Sequence, residues 1–249
     1  MFKKNLVTFS IVDDMLFDSP HLHPQPIYKF IPKWLKNAPN DLIGSKAPHG
    51  IDGLNITKTV KSCPSFVDIY KDGYVILAPY DIYLKFIHKT KQWSFVTSTV
   101  LENLTDNNTQ VQEHLDEQMI DYLPKNANIH KVFKLQLPIT VNTPKGYNIR
   151  QMPLFYDFNV DWHIAYGVYK ADIIPEINLQ LFYTSDKEEV LIKQGTPLCI
   201  LAPYKREKFR YKIEKYGTNK NIVKSTNKYF MNAKGKFINF YYKSGYHKA

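Results

Sequence analysis

The stretch "VLIKQGTPLCILAPYKREKF", residues 190–209, joins an apolar run to a basic run. A Gly-Thr-Pro sequence at 195–197 interrupts the apolar run, which is typical of a turn between two strands. Positive charge begins at Lys205 and continues beyond it. We therefore predict that residues 190–204 form the last two strands of a β-sheet and that the chain leaves its core at Lys205.

Working outward, other segments carry apolar residues at every second position, which places them on one face of a strand. The short polar sequence "KTKQ" predicts a hairpin between the first of these segments and "WSFVTSTV", and "TSDKEE" predicts another between the last of them and "VLIKQ". The segments are "IYLKFIHK" from Ile82, "KVFKLQLP" from Lys131, "GYNIRQMP" from Gly146 and "PEINLQLFY" from Pro175.

Helical patterns are short and lie at the margins of this β region. Prolines within residues 1–50 predict an extended arm with one helical segment at 33–37, and residues 65–72 form another turn. The acidic, amide-rich residues 102–122 are predicted to be an exposed insertion with a brief helical period in "VQEHLDEQMIDYL". The fold class is thus mainly β (α+β), an antiparallel sandwich or barrel-like body with peripheral helices.

The formal net charge of +10 is concentrated at the C-terminal end of the chain. Residues 205–249 contain thirteen Lys and Arg against two acids, whereas the preceding residues contain 20 bases and 21 acids. We therefore divide the chain into an arm of residues 1–50, a β-rich body of residues 51–204 and a basic aromatic segment of residues 205–249.

Two interpretations of the basic segment stay open. Its Lys, Arg and aromatic side chains could hold an anionic partner such as single-stranded nucleic acid. Alternatively, a helix packs its apolar stripe on the body and leaves its lysines in solvent, and the helical spacing favours this second interpretation. The stripe comprises Ile222, Thr226, Tyr229, Ala233, Phe237, Phe240 and Tyr241.

Several classes of protein are not indicated. The sequence has no run of about 18 apolar residues and no signal-peptide pattern, so we expect a soluble, unexported protein without a membrane partner. Cys63 and Cys199 lie far apart, which predicts reduced thiols rather than disulfides or a zinc cluster. No cofactor is predicted, because phosphate-binding and dinucleotide-binding glycine motifs are missing from the sequence.

The densest cluster of polar and aromatic residues is the first choice for a binding site, because it lies in a predicted connection between strands. A second contact surface is predicted at the start of the basic segment. The first set is Asp157, Asp161, Trp162, His163 and Tyr166, and the second is Lys205, Arg206, Lys208, Arg210 and Lys212.

Three other patterns are weaker hypotheses. The order of His114, Asp116, His163 and Lys170 is that of an iron site with two histidines, one carboxylate and a cation for a 2-oxo acid. His21 and His23, which follow Asp13, Asp14 and Asp18, could hold a divalent ion. Cys63 is a candidate nucleophile without an identifiable base, so a packed thiol is favoured.

Three stretches together resemble a family of uncharacterised proteins from large tailed phages of marine bacteria, and the resemblance covers most of the chain. The resemblance implies a phage origin and a location in the host cytoplasm, but it assigns no activity to the protein and no role to individual residues. The stretches are "VKSCPSFVDIYKDGYVILAPYDIYLKF", "VNTPKGYNIRQMPLFY" and "INLQLFYTSDKEEVLIKQGTPLCILAPYKREKF", with a weaker fourth, "YKFIPKWLKNAP".

The chain is also similar to the β-clip fold of dUTPases and dCTP deaminases in the order of three motifs, at 146–147, 167–170 and 192–195. This similarity implies a β-clip-like body. The sequence departs from those enzymes at the phosphate-binding turn, where residues 152–155 read Met-Pro-Leu-Phe, and at Lys170, which stands where their aspartate orients water. The departures put the phosphoryl chemistry in doubt.

The charge distribution and the missing catalytic motifs predict a binding protein without evident catalysis, and the resemblance implies that it is phage-encoded. We expect it to act as a virion or assembly component or as an effector of a host target, and to contact a protein partner and, through its basic segment, an anionic partner. The alternative is an enzyme, either a metal-dependent oxygenase of the iron and 2-oxoglutarate kind or a diverged dUTPase-like nucleotide-binding enzyme.

Overall fold

The computed structural model describes residues 6–43, 56–98, 111–124 and 126–215. The chain divides into two compact units: unit 1 comprises Met1–Ile31 and Tyr70–Arg206, and unit 2 comprises Pro32–Ile69 and Glu207–Ala249. The described residues are mainly in antiparallel β-strands, and their helices are one to two turns long. None of those helices has the length and apolar character needed to cross a membrane.

The first sheet of unit 1 is built around its longest strand, β9, which pairs with β13 on one side. On the other side β9 pairs with β1 near its end and with β8 near its start. Beyond β13 lies β11, the last strand on that side. The bounds are β1 Thr8–Ile11, β8 Val111–His114, β9 Lys131–Asn142, β11 Trp162–Ile164 and β13 Glu176–Tyr183.

The second sheet of unit 1 has the order β12-β10-β15-β5-β2, so that β15 lies in the middle. Its bounds are β2 Gln25–Pro26, β5 Tyr74–Leu77, β10 Tyr147–Met152, β12 Gly167–Tyr169 and β15 Pro197–Lys205. A third, three-stranded sheet has the order β14-β6-β7. Its bounds are β6 Ile82–Ile87, β7 Gln92–Thr97 and β14 Glu189–Ile192.

The remaining elements are short. In unit 1 they are the helix α1, Asp14–Phe17, and 3₁₀ turns at Pro20–Leu22, Ile27–Phe30, Asp116–Gln118 and Ile120–Tyr122. In unit 2 they are the helices α2, Lys33–Asn37, and α3, Pro64–Val67, a 3₁₀ turn at Val60–Ser62, and the paired strands β3, Asp41–Ile43, and β4, Ile56–Lys58. A further 3₁₀ turn, Asp68–Tyr70, ends at the first residue of the second part of unit 1.

The core of unit 1 is one hydrophobic cluster to which all three of its sheets contribute. Alternation explains its composition, because every second residue of β9 and of β13 is buried. Each fully buried Leu, Ile or Phe side chain contributes about 1.5–3 kcal/mol relative to an exposed one. The buried residues of these two strands include Phe133, Leu135, Leu137, Ile177, Leu179 and Leu181.

The structure confirms the predicted mainly β class, the helix at residues 33–37 and the hairpin formed by β6 and β7. The second predicted hairpin is wrong. The segments "PEINLQLFY" and "VLIKQ" form β13 and β14, but β13 pairs with β9 and β11 whereas β14 pairs with β6. For the same reason residues 190–204 are two strands of different sheets, since β15 pairs with β10 and β5.

The predicted helical period in "VQEHLDEQMIDYL" is also wrong for its first four residues, which form β8. Val111 of β8 is buried and pairs with Leu135 of β9, so tertiary pairing overrides the helical spacing of a polar segment. The next residues form 3₁₀ turns, and residues 102–110 lie outside the described residues.

The predicted division into three segments can be compared with the structure only where its residues are described. Residues 6–31 of the predicted arm form only short elements, and Leu16 and Leu22 are buried in the core of unit 1. The predicted boundary at residue 50 lies outside the described residues. So does the predicted C-terminal stripe that begins at Ile222, while residues 206–215 contain no helix.

Candidate binding surface at the β11–β12 flank

The turn between β11 and β12 connects the edge strands of two different sheets. Strand β11 ends the order β1-β9-β13-β11, and strand β12 begins the order β12-β10-β15-β5-β2. Within the part of the chain that the structure describes, each of these strands is paired with a neighbour on one side only. Edge strands of this kind can accept an additional strand from another chain.

A buried hydrogen-bond network fixes the ends of this turn. The side-chain amide of Gln151 on β10 donates to the carbonyl oxygen of Ala165 at 2.7 Å. The hydroxyl of Tyr169 lies 2.6 Å from Oε1 of Gln151 and 2.5 Å from the carbonyl oxygen of Asn178. Burial raises the pKa of Tyr169, so the phenol stays protonated and able to donate at neutral pH. The turn is therefore held at both ends.

The segments on either side of this turn expose large apolar side chains to solvent. Two come from the loop before β11, two from the turn and β12 itself, and two from the turn after β12. We call this set the β11–β12 flank: Phe158, Val160, Tyr166, Val168, Ile173 and Ile174. Exposed apolar residues that follow one another along strand edges are typical of a protein-interaction surface.

Tyr166 is the one residue of these six that belongs to the predicted site, because that site was predicted from a cluster of polar and aromatic residues. The available signal was a set of apolar residues in segments that are predicted connections, where no core requires them. Asp157, which was predicted, is exposed at the border of the flank. The flank is therefore more apolar than the predicted site.

Asp161 has a structural role in supporting the neighbouring turn at residues 184–187. Its two carboxylate oxygens accept hydrogen bonds from the Ser185 hydroxyl at 2.7 Å and from the Lys187 ammonium at 2.9 Å. These two donors hold the pKa of Asp161 below its ordinary value, so the carboxylate is charged at neutral pH. Both carboxylate oxygens of Asp161 therefore already accept hydrogen bonds from within the protein.

Trp162 and His163 point to opposite sides of β11, as alternation requires. Trp162 is buried in the core, where its strand partner is Tyr183, so it offers no contact surface. His163 is half-buried on the outer face and lies edge-on to Phe182, with the ring centroids 5.3 Å apart. Burial lowers the pKa of His163, which favours the neutral ring. The five predicted residues are thus divided between core, scaffold and surface.

Arg206 is tied to the end of the second sheet by an ion pair that we call the Arg206 clasp. Its guanidinium donates to both carboxylate oxygens of Asp172, at 2.5 and 2.6 Å. Asp172 also accepts from the backbone N–H of Gly146 at 2.9 Å, and the N–H of Arg206 donates to the carbonyl of Gly146. The Gly146 N–H and then the Arg206 guanidinium hold the pKa of Asp172 below its ordinary value.

The other predicted basic residues have different surroundings. Lys205 ends β15 and is exposed. Lys208 and Arg210 are exposed in a segment without regular structure, and Lys212 forms an ion pair with Glu214 at 2.5 Å. Of the five predicted basic residues, Arg206 therefore has a structural role. The remaining four stay candidates for contact with an anion.

The predicted iron site is wrong at the residues that suggested it. His163, Phe182, Val132 and His114 form one row across four adjacent strands, because they are successive register partners. Three strand spacings separate the two histidines by about 14 Å, which no single ion can bridge. Asp116 is ion-paired with Lys131 at 2.8 Å, and Lys170 is exposed at the end of β12.

His21 and His23 do not form a pair of ligands either. Nε2 of His23 lies 3.1 and 3.0 Å from the carbonyl oxygens of Leu16 and Phe17, so it donates its proton to the end of α1. Asp13 accepts from the backbone N–H of Leu16 as the cap of the same helix. Among the described residues, no three His, Cys, Asp or Glu side chains are already arranged to hold a metal.

The two cysteines are free thiols in different environments. Cys199 is buried in the core, and burial raises the pKa of its thiol, which makes it unreactive. Cys63 is half-buried and precedes α3 in unit 2.

No protein-family model matches the sequence, and no curated protein matches it. Solved structures with a similar arrangement include a mutant dUTPase from phage phi11 of S. aureus, at 9% identity and a TM-score of 0.35, covering 87% of this chain and 99% of that chain. A mutant dUTPase of Staphylococcus bacteriophage 80alpha has 9% identity, a TM-score of 0.36 and coverages of 86% and 100%. Likeness at this level assigns no residue and no activity to this chain.

Proposed function

We propose that the protein is a phage-encoded binding protein whose protein partner docks on the β11–β12 flank. The phage origin rests on the sequence resemblance, and a role in virion assembly or in acting on a host target follows from it. The docking surface rests on one structural observation: six large apolar side chains are exposed along the segment from the loop before β11 to the turn after β12, which contains two edge strands.

The composition of the flank favours a protein over a small ligand. Partner strands bind edge strands through backbone hydrogen bonds and gain specificity from side chains on alternate positions. Val168 on β12, with Tyr166 just before it, supplies such side chains, and the Gln151–Tyr169 network keeps them in place. The cost of ordering the surface on binding is therefore small.

The basic residues Lys205, Lys208, Arg210 and Lys212 belong to the proposal as a second contact. They would attract an anionic partner by neutralising its charge and releasing its counterions. This contact contributes to the rate and salt dependence of association more than to its specificity.

The alternative function, a diverged dUTPase-like nucleotide-binding enzyme, is supported by the order of its three sequence motifs. Two of them lie on the paired strands β10 and β12. In place of the phosphate-binding turn, however, the Phe155 carbonyl accepts a hydrogen bond from the Tyr70 hydroxyl. Thermal unfolding with dUTP and dCTP tests this alternative, because a ligand that binds the folded state raises the midpoint with concentration. A rise with either nucleotide would favour the enzyme.

The binding proposal is tested by replacing Val168 with a photoreactive amino acid in host cells that produce the protein. The cross-linked partner is identified, purified and titrated against the wild-type chain. We expect Val168→Lys and Tyr166→Ser each to weaken the affinity at least tenfold, because they place charge or remove apolar area in the interface.

The matched control is Val96→Lys, since Val96 has the same residue type and similar exposure, 62% against 57% for Val168. It lies on β7 of the third sheet, away from the flank in the sheet order. We expect the Val96 variant to bind like wild type. The proposal would be contradicted if the Val168→Lys variant bound the partner as tightly as the wild type does. It would also be contradicted if the cross-links joined only two copies of this chain.

A further inference from the structure

Two histidines from distant parts of the sequence meet at one end of unit 1. His88 follows β6 in the β6–β7 turn, and His130 immediately precedes β9. Their ring centroids are 4.7 Å apart and the rings are nearly perpendicular, at 89°. The backbone N–H of His130 donates to the carbonyl of Tyr183 at 2.9 Å, which fixes the start of the strand.

The polar atoms of this pair are buried without a hydrogen-bond partner. In both residues Nε2 is buried and makes no hydrogen bond. A buried polar group left unsatisfied costs about 1–3 kcal/mol, so one such atom on each of two neighbouring rings is unfavourable unless another group binds them. Phe86 packs against both rings, at centroid distances of 5.1 Å to His88 and 6.5 Å to His130.

The spacing of the rings suits a shared metal ion. Two imidazoles that bind one tetrahedral zinc ion at about 2.1 Å hold their ring centroids about 5 Å apart. The observed 4.7 Å is close to this value, so the rings are near enough to share one ion once both Nε2 atoms turn toward it. Nitrogen ligands favour Zn²⁺, Cu²⁺ and Ni²⁺ over Mg²⁺ and Ca²⁺, which prefer oxygen.

A third donor is available on the turn between β13 and β14. Oδ1 of Asp186 lies 3.7 Å from Nε2 of His130, and the Asp186 side chain is 96% exposed. At that distance the contact is not a hydrogen bond, so the carboxylate is free to rotate.

The backbone of this turn is held firmly around Asp186. The Ser185 hydroxyl and the Lys187 ammonium both donate to Asp161, and the N–H of Lys187 donates to the Ser185 hydroxyl at 3.1 Å. The Tyr183 hydroxyl donates to the carbonyl of Lys187. Asp161 therefore helps to hold the turn that places the Asp186 carboxylate beside His130.

We propose that His88, His130 and Asp186 form a binding site for one divalent transition-metal ion of the zinc class. Nε2 of each histidine and one oxygen of Asp186 are the ligands, and water fills the fourth position. Asp186 turns toward the pair when the ion binds. The ion links the β6–β7 turn of the third sheet to the start of β9 in the first sheet and to the β13–β14 turn, so its role is to join the two sheets.

The test uses the full chain after treatment with a chelator, titrated with zinc by calorimetry and by thermal unfolding. We expect one zinc per chain with a dissociation constant in the micromolar range or below and a rise in the unfolding midpoint. His88→Gln and His130→Gln should each weaken zinc binding at least tenfold, and Asp186→Asn should weaken it less. Mg²⁺ at the same concentration should give no rise.

The matched controls are His114→Gln and His163→Gln, which alter half-buried histidines on the outer face of the first sheet. They should bind zinc like wild type. Circular dichroism and metal-free unfolding midpoints establish that each variant is folded, and Cu²⁺ spectra of the wild type should show nitrogen ligands that His130→Gln reduces. The proposal is wrong if the wild type binds no zinc, or if binding survives loss of both His88 and His130.

Discussion

Lys131 is a buried charged residue at the edge of the hydrophobic core of unit 1. It lies on the same face of β9 as Phe133 and is the register partner of Tyr183, so its side chain points inward and is only 5% exposed. Its ammonium is ion-paired with Glu113 on β8 and with Asp116. Burial lowers the pKa of Lys131 and the two carboxylates raise it, and the net direction is upward. The lysine is therefore charged in the folded protein at neutral pH.

We predict that Lys131→Met lowers the free energy of unfolding by about 3 kcal/mol, because it leaves two carboxylates without their buried cation. Urea unfolding at neutral pH measures the change. Adding Glu113→Gln and Asp116→Asn to this variant should recover at least half of the loss, since neutral amides need no counter-charge. A triple variant as unstable as Lys131→Met would show that packing around the lysine stem, rather than charge, carries the effect.

At the same scale, the sequence predicted which residues have side chains suited to binding or catalysis. It did not predict what each of these side chains contacts. Asp161 and Trp162 are neighbours in a polar-aromatic cluster, yet one supports the 184–187 turn and the other fills the core. The side of the strand and the partner across it decide these roles, and both depend on pairing that is distant in sequence. His88 and His130 illustrate the same limit, because their contact exists only in the folded sheets.

At the scale of elements, strand positions were predictable and strand partners were only partly so. The β6–β7 hairpin was predicted correctly because a short turn forces its strands together. The expected pairing of β13 with β14 failed because β14 pairs with β6, which is far away in sequence. Alternation specifies the buried face of a strand, but it does not specify the sheet to which the strand belongs.

The junction of β5 with β15 depends on Gly73, which precedes β5 with a φ of 134°. A Cβ atom there would lie 3.2 Å from both the Leu201 carbonyl oxygen and a methyl carbon of Ile200. We predict that Gly73→Ala destabilises the protein by about 3 kcal/mol, through backbone strain and this close approach together. Equilibrium unfolding in urea gives the value.

Gly146→Ala is the control for this prediction. Gly146 also has a positive φ, 89°, but an added Cβ would meet no atom within 4 Å. Its substitution should therefore cost only the backbone strain, about 1 kcal/mol. Similar losses in the two variants would show that the close approach to β15 contributes nothing.

At the scale of the whole molecule, the uneven charge distribution separates the two contacts that we propose. The flank lies on unit 1, whereas Glu207–Ala249 belongs to unit 2 and holds most of the surplus positive charge. An apolar surface gives affinity that is little affected by salt, whereas a basic segment gives affinity that salt weakens. Ionic strength therefore distinguishes the contributions of the two surfaces.

We predict that the full chain binds a polyanion such as single-stranded DNA and that affinity falls about 10³-fold between 50 and 200 mM salt, as expected for six or more phosphate contacts. Truncation after Arg206 should abolish most of this binding while it preserves the Arg206 clasp. Fluorescence anisotropy measures both effects. A shallow salt dependence, or full binding by the truncated chain, would mean that the basic residues are a solvated face.

The Arg206 clasp has a mechanical consequence. Along the chain, the C-terminal segment joins unit 1 at residue 206, at the end of a strand that is hydrogen-bonded on both sides. Before β15 can peel from β10, the tether between Arg206, Asp172 and the Gly146 backbone must rupture. Tension that reaches β15 along the chain would thus be resisted first at this anchor point, and lowering the pH enough to protonate Asp172 would weaken the anchor.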